Sequence, residues 1–478
     1  MNPAIQVNVA KKRSLGINAK SINANHLKTV QNNTLEVRQM RYSLQRTAQS
    51  ILFDANENKQ HRVCGCHRNV ASGGVTVYRT VDGSDSRFGN LITCGSVWSC
   101  PVCNAKITEG RREDMQKAVS AWCLDGGSCL LNTLTFPHEL DMPLHELLEK
   151  FEKALVFYKN SRTYKSIFGT SVAAIAQRAK WIAKGKLKSG TPDHPVFYEP
   201  LKDTRQGDYP RLGTVRSLEV TNGVNGWHPH VHEVLFMDSD HLNAGTTKNK
   251  NEYEEEILTK AIATRELLTK LWVDSLLKAG LGNQDKINDM LLRAWDIRGG
   301  DYVAEYINKF GREPIKIRGW TIASEATKAN SKVNSNGAIG KKVGNNYHFT
   351  PFQLLGFATD GDEKSAALFK EFSQAFEGKR MNYWTNGLKD WFSINDVDDE
   401  LMASEQAQKV DEEIVFRLDI FQWKKIVATN SRNELLSVAA KYGAEGIEEF
   451  LIRLESRKNT HKGWFLSQAR PDIDRFYH

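Results

Sequence analysis

The sequence predicts an α+β protein: an antiparallel hairpin and further strands covered by amphipathic helices, with a small Cys-rich module before them and a mostly helical region after. Three observations predict it. Two β-prone runs, 214–221 and 230–236, flank Asn222-Gly223-Val224-Asn225-Gly226, whose two Asn-Gly steps favour a tight hairpin. Stretches such as 143–164 repeat their apolar residues at helical spacing. Seven cysteines include Cys64-Gly65-Cys66 and Cys100-Pro101-Val102-Cys103 in a Gly-rich segment.

The elements follow in chain order. Residues 1–55 read as a flexible basic arm. The first 50 residues hold eight Lys/Arg against one acid, Glu36, and are rich in Asn, Gln and Ser. Such an arm binds phosphates through counterion release. Residues 56–105 form a Cys-rich, zinc-binding module with short β-prone pieces such as 75–78. A domain over 106–327 comes next. In it the sequence predicts a helix over 106–122 and a strand over 129–136 stopped by Pro137. Pro143, at a first-turn position, opens a helix carrying Leu147, Leu148, Phe151, Leu155 and Phe157. Residues 183–212, rich in Lys, Gly, Pro and Asp, read as a surface insertion, and the hairpin strands follow. A helix over 254–278, a short strand over 293–297 and a helix capped by Asp301 complete the domain. Residues 328–346 are a polar, Gly/Asn-rich linker, and Thr350-Pro351 starts a mostly helical accessory domain over 347–478.

Composition sets bounds. At 478 residues, 40% hydrophobic and 26% charged, the chain is an ordinary soluble protein of two or three domains. It has no apolar run of about 18 residues and no secretory h-region, so neither a membrane partner nor export is expected. Its thiols then sit in a reducing, cytoplasmic compartment and serve as metal ligands. Cys64, Cys66, Cys100 and Cys103 make the expected zinc tetrad, with Cys94 as the alternate; Cys123 and Cys129 are expected as buried thiols. Arg111 and Arg112 follow the knuckle closely and, with Lys184 and Lys186, are the expected DNA contacts outside the site.

The strongest constellation is Trp227-His228-Pro229-His230-Val231-His232. Side chains alternate along a strand, so His230 and His232 share a face, joined by His228 if the strand starts that early. The hairpin returns Glu219 beside them. Two imidazoles and a carboxylate suit Mg²⁺ or Mn²⁺ with positions left open for a phosphate oxygen. Roughly 70 residues later, Tyr302, Tyr306 and Lys309 share one helix face, and Glu305 falls off it. The same tyrosines also fit an aromatic stripe packed into a core. A lysine one turn from Tyr306 stabilises its phenolate, and phenolate attack on a phosphodiester gives a 5′-phosphotyrosine and a free 3′-hydroxyl. Together the groups point to breaking and rejoining of DNA.

The order Leu131-Asn-Thr-Leu-Thr-Phe136, then Trp227–His232, then Tyr302-Val-Ala-Glu-Tyr-Ile-Asn-Lys309 resembles the three motifs of the rolling-circle plasmid replication initiators, the Rep proteins of the HUH endonuclease superfamily. Cys94-Gly-Ser-Val-Trp-Ser-Cys100-Pro-Val-Cys103 resembles their Cys-rich segment. The likeness runs over residues 60–310. It implies an HUH-type antiparallel sheet with the His strand central and helices packed on it. It also implies that His230 and His232 are the paired metal ligands, Glu219 the acidic ligand, Tyr306 the nicking tyrosine and Lys309 its trailing lysine. Where some members carry a glutamate four residues before that tyrosine, this chain has Tyr302, which implies two strand transfers by alternating tyrosines. Implied partners are single-stranded origin DNA, a single-strand binding protein and DNA polymerase. A host helicase is needed because no Gly-x-x-x-x-Gly-Lys-Ser/Thr loop is present. A two-tyrosine transposase of the same superfamily shares the chemistry, and a non-enzymatic zinc-dependent DNA-binding regulator is the third reading.

Overall fold

In a computed structural model of the chain, the structure describes residues 24–71, 73–137, 142–191, 193–246, 253–299, 303, 341–343, 346–404 and 411–456. The protein is a mixed α and β structure with antiparallel sheets. Its first helix, α1 (Ala24–Ile51), occupies half of the expected flexible arm. Met40, Leu44 and Ala48 recur at helical spacing on its buried face, a stripe too sparse to stand out in a polar sequence. Strands β1 (Val75–Thr80) and β2 (Ser86–Gly89) lead into α2 (Pro101–Leu124). That helix starts five residues earlier than expected, because Pro101 fits its first turn and Cys100 takes the cap position.

Next come β3 (Ser128–Leu134) and α3 (Leu144–Asn160). The single helix expected over 143–164 is broken at Ser161, whose hydroxyl caps α4 (Arg162–Phe168) by accepting from the Tyr164 amide. After α5 (Val172–Ala183), the expected irregular insertion contains a hairpin, β4 (Leu187–Thr191) and β5 (His194–Phe197). Strands β6 (Arg211–Gly223) and β7 (Gly226–Met237) are longer than their β-prone cores and meet at a two-residue turn, Val224-Asn225. Helices α6 (Glu255–Lys278) and α7 (Ile287–Arg293) precede β8 (Trp295–Arg298).

The region expected as a separate helical domain is threaded through the others. Strand β9 (Lys341–Val343) pairs with β10 (Asn346–His348), and helices α8 (Pro351–Thr359) and α9 (Glu363–Ala375) follow. Strand β11 (Asn382–Trp384) then joins the main sheet on β6, and β12 (Glu412–Leu418) pairs with β1. The five-stranded sheet has the order β11-β6-β7-β3-β8, with β7 in the middle, and β12-β1-β2 form a second sheet. Both faces of the main sheet are covered. Leu130, Leu134, Val231 and Leu235 point into a core with Phe151, Tyr158 and Trp272, whereas Leu131, Val215, Val234 and Phe236 face Met115, Ala118, Ala173 and Val303. This explains why β7 reads as an unbroken Val234-Leu235-Phe236 run. Among the described residues no helix is long and apolar enough to cross a membrane.

Candidate metal centres

Register builds the first site. Across the β6–β7 ladder Glu219 lies opposite His230 and Ser217 opposite His232, and across β3–β7 Thr133 lies opposite His232. Directly opposed residues share a face, so one sheet face changes from apolar at Val234 and Phe236 to polar at His232, His230 and His228. Glu219 Oε2 lies 3.1 Å from His230 Nε2 and 3.6 Å from His232 Nε2. One donor atom from each of these three residues lies within 4.8 Å of the other two, so the group could hold a metal ion. Burial pushes the Glu219 carboxyl up in pKa, but the His232 and His230 imidazoles outweigh it and hold it well below the usual carboxylate range.

The neighbours of the triad fix its geometry. The Thr133 hydroxyl is 3.0 Å from His232 Nδ1, which turns Nε2 toward Glu219. His228 stands outside the triad: its Nε2 is 2.7 Å from the Thr135 hydroxyl, and its ring centroid is 5.5 Å from that of His230. His348 comes within 6.1 Å of His228. Glu233 alternates to the opposite face, where it is fully buried and ion-paired with Lys159. Sequence reading missed Thr133, Thr135 and His348. Period-2 alternation from Cys129 marks the two threonines once β3 is known to border β7, whereas no local signal brings in His348. Tyr302, Tyr306 and Lys309 lie outside the described residues.

The second centre is the thiol cluster of Cys66, Cys94, Cys100 and Cys103, all buried and mutually close enough to hold a metal ion. Sulfur–sulfur distances are 3.7 Å for Cys66–Cys100, 3.5 Å for Cys66–Cys103 and 3.6 Å for Cys94–Cys103. Cys94 therefore replaces the expected Cys64. The turn Arg62–Gly65 is a short 3₁₀ helix that carries Cys64 away, its sulfur 3.6 Å from the Gln49 carbonyl, while Cys66 caps the turn and points into the cluster. Burial pushes the Cys64 thiol up to about 11. Burial also raises the Cys100 thiol, but thiol hydrogen bonds from Cys103, Cys66 and Cys94 outweigh it and hold Cys100 well below the usual range. Cys129 is buried as expected, and Cys123, in the last turn of α2, is exposed.

The expected DNA contacts divide. Arg111 is bound to Asp399 at 2.8 Å and to the Val397 carbonyl, so its guanidinium ties α2 to a distant segment, whereas Arg112 is bound to Glu109 at 2.6 Å within α2 itself. Lys184 and Lys186 are exposed at the root of the β4–β5 hairpin, the latter stacked on Trp181.

Compared with known proteins, the chain is 25% identical over 355 residues to a protein named Protein rep from Streptomyces lividans, a span of 68% of this chain and 69% of that one. It is 27% identical over 165 residues to a Neomycin resistance protein from Streptomyces cyanogenus, 34% of each chain. No family model and no solved structure matches it.

Proposed function

We propose that this chain is a plasmid rolling-circle replication initiator that nicks and rejoins single-stranded DNA at a specific site through a 5′-phosphotyrosine. The observation that carries the reading is the Glu219–His230–His232 group, a mixed imidazole–carboxylate donor set on adjacent strands in a chain similar to Protein rep. The donors fit a divalent ion such as Mg²⁺ or Mn²⁺, which when bound polarises a phosphoryl oxygen. Glu219 and the two Nε2 atoms would hold it, with Thr133 fixing the His232 ring. The Tyr306 oxygen attacks phosphorus, the phosphorus–O3′ bond breaks, and the leaving oxygen takes a proton to become the 3′-hydroxyl primer. Lys309, three residues on in the sequence, stabilises the phenolate before attack. Tyr302 takes the second transfer, so the strand is closed without hydrolysis. The four-cysteine cluster would hold a structural Zn²⁺ that welds the N-terminal module. In a bacterial cytoplasm a helicase, a single-strand binding protein and DNA polymerase would complete replication.

The test is incubation of the purified protein with single-stranded DNA covering its plasmid origin and Mn²⁺. A denaturant-stable protein–DNA adduct mapping to Tyr306, lost in Tyr306→Phe with DNA binding retained, is the expected result. Tyr302→Phe makes the first cut and fails to close. An adduct that persists in Tyr306→Phe rejects the assignment.

A further inference from the structure

The β4–β5 hairpin is built for a partner outside the fold. Every described residue from Ile182 to Phe197 is exposed, so both faces of the ribbon meet solvent. Leu187 and Phe197, paired across the strands, are 47% and 51% exposed. A lone two-stranded ribbon is marginal in water. This one is held at its root by a stack. The Arg178 guanidinium lies 4.8 Å from the Tyr198 ring centre, Tyr198 lies 4.6 Å from Trp181, and Lys186 Nζ lies 4.6 Å from Trp181. The stack stiffens the arm without covering it.

Charge identifies the partner. Between Arg178 and Glu199 five Lys/Arg stand against two acids, a net +3 in 22 residues of a chain whose total is +8. The outer half carries small hydrogen-bonding residues, Ser189, Gly190, Thr191 and His194, around one acid, Asp193. An apolar protein groove would not call for this composition; a polyanion with hydrogen-bonding edges does. A two-stranded ribbon also matches the major groove of B-DNA, about 12 Å wide. The arm is rooted on the side of the sheet that bears the metal triad: Ala173 of α5 packs with Val215 and Val234 on that face. Twelve residues of α5 carry the root along a helix of about 18 Å.

We infer that the β4–β5 ribbon is a duplex-binding arm that enters the major groove of double-stranded DNA beside the single strand being cut, with Lys184 and Lys188 on its phosphates. The inference rests on the DNA-processing reading above and adds a second, double-stranded subsite to it.

The test uses the full chain and a labelled duplex of arbitrary sequence, with binding measured across a salt series. Charge reversal at Lys184→Glu and Lys188→Glu is expected to weaken duplex binding by about tenfold or more and to reduce the slope of log K against log salt by about 2. The milder Lys184→Gln, Lys188→Gln pair gives a smaller loss in the same direction and keeps the result readable if reversal disturbs folding. Lys364→Glu with Lys370→Glu, two exposed lysines on α9, applies the same net-charge change away from the arm and leaves the slope near wild type. Equal loss in the α9 pair overturns the inference, because net charge alone then explains binding. Unchanged duplex binding in the arm variants also overturns it and points to a protein partner. The single-strand adduct is read separately: a wild-type protein that makes no adduct fails the proposed chemistry, and the duplex series still decides the arm.

Discussion

Cys94 and Cys64 differ in what their backbone allows. Cys94 is followed by Gly95 in a left-handed conformation, a turn that brings its sulfur back onto Cys103. Cys64 sits inside a 3₁₀ turn that aims it elsewhere. Cys94→Ser is therefore expected to lose the proposed zinc and several kcal/mol of stability, while Cys64→Ser keeps it, as metal analysis after dialysis will show. Sequence spacing anticipated three members of this cluster and held Cys94 only as the alternate to Cys64, because two cysteines two residues apart look like a clamp until a turn separates them. His67, next to the cluster, is buried with its pKa pushed down from 6.5 to about 3, first by desolvation and then by Lys106 and Arg432. Its folded pKa lies below the unfolded one, so the unfolded chain takes up the proton first. Its contribution is complete above the unfolded value and is lost as pH falls toward the folded one. Between about pH 7 and about pH 5 this costs about 2 kcal/mol. Denaturant titration is expected to show an acid-dependent loss larger by about that amount in wild type than in His67→Asn; asparagine suits the positive φ of 54° at this position.

At the scale of elements, the site is a product of strand register. The Asn-Gly repeat and the alternation of His230 and His232 were legible in the sequence, and with them the pairing of Glu219 opposite His230. The neighbours were not, since a strand's second partner lies far away in sequence. Thr133 on β3 and Asn382 on β11, whose Oδ1 accepts from the Ser217 hydroxyl at 2.8 Å, join only when the sheet closes. Behind the site, α3 docks on β7 through Lys159 and the fully buried Glu233. Burial raises the Glu233 carboxyl and Lys159 outweighs it, so the group is held ionised. Removing only the cation strands a charge in the core. Lys159→Met is expected to destabilise the protein by about 3 kcal/mol, and adding Glu233→Leu to recover most of the loss, measured by chemical denaturation. Recovery that fails would show that the pair does more than cancel its own charges.

Across the whole molecule, elements distant in sequence hold one another. The Trp98 indole donates to the Lys379 carbonyl at 2.7 Å, Arg432 donates to Gln45 at 2.8 Å, and Gln45 in turn donates to Cys100 Sγ at 3.4 Å. The boundaries expected at residues 55, 105 and 346 follow composition, and composition is blind to β11 and β12, seven residues or fewer each, that cross back. Chelating the proposed zinc is thus expected to lower the unfolding temperature of the whole protein in one transition, visible together in far-ultraviolet circular dichroism and tryptophan fluorescence. Two separated transitions would mean that the Cys-rich module melts alone.

The pairing of β1 with β12 has a consequence for biogenesis. A ribosome exposes residues 75–80 long before it makes 412–418, so the early strand waits beside β2 with one edge bare while more than 300 residues emerge. The final seal on the N-terminal module is then set late in translation, and a product that stops short leaves an unfinished edge open to proteases.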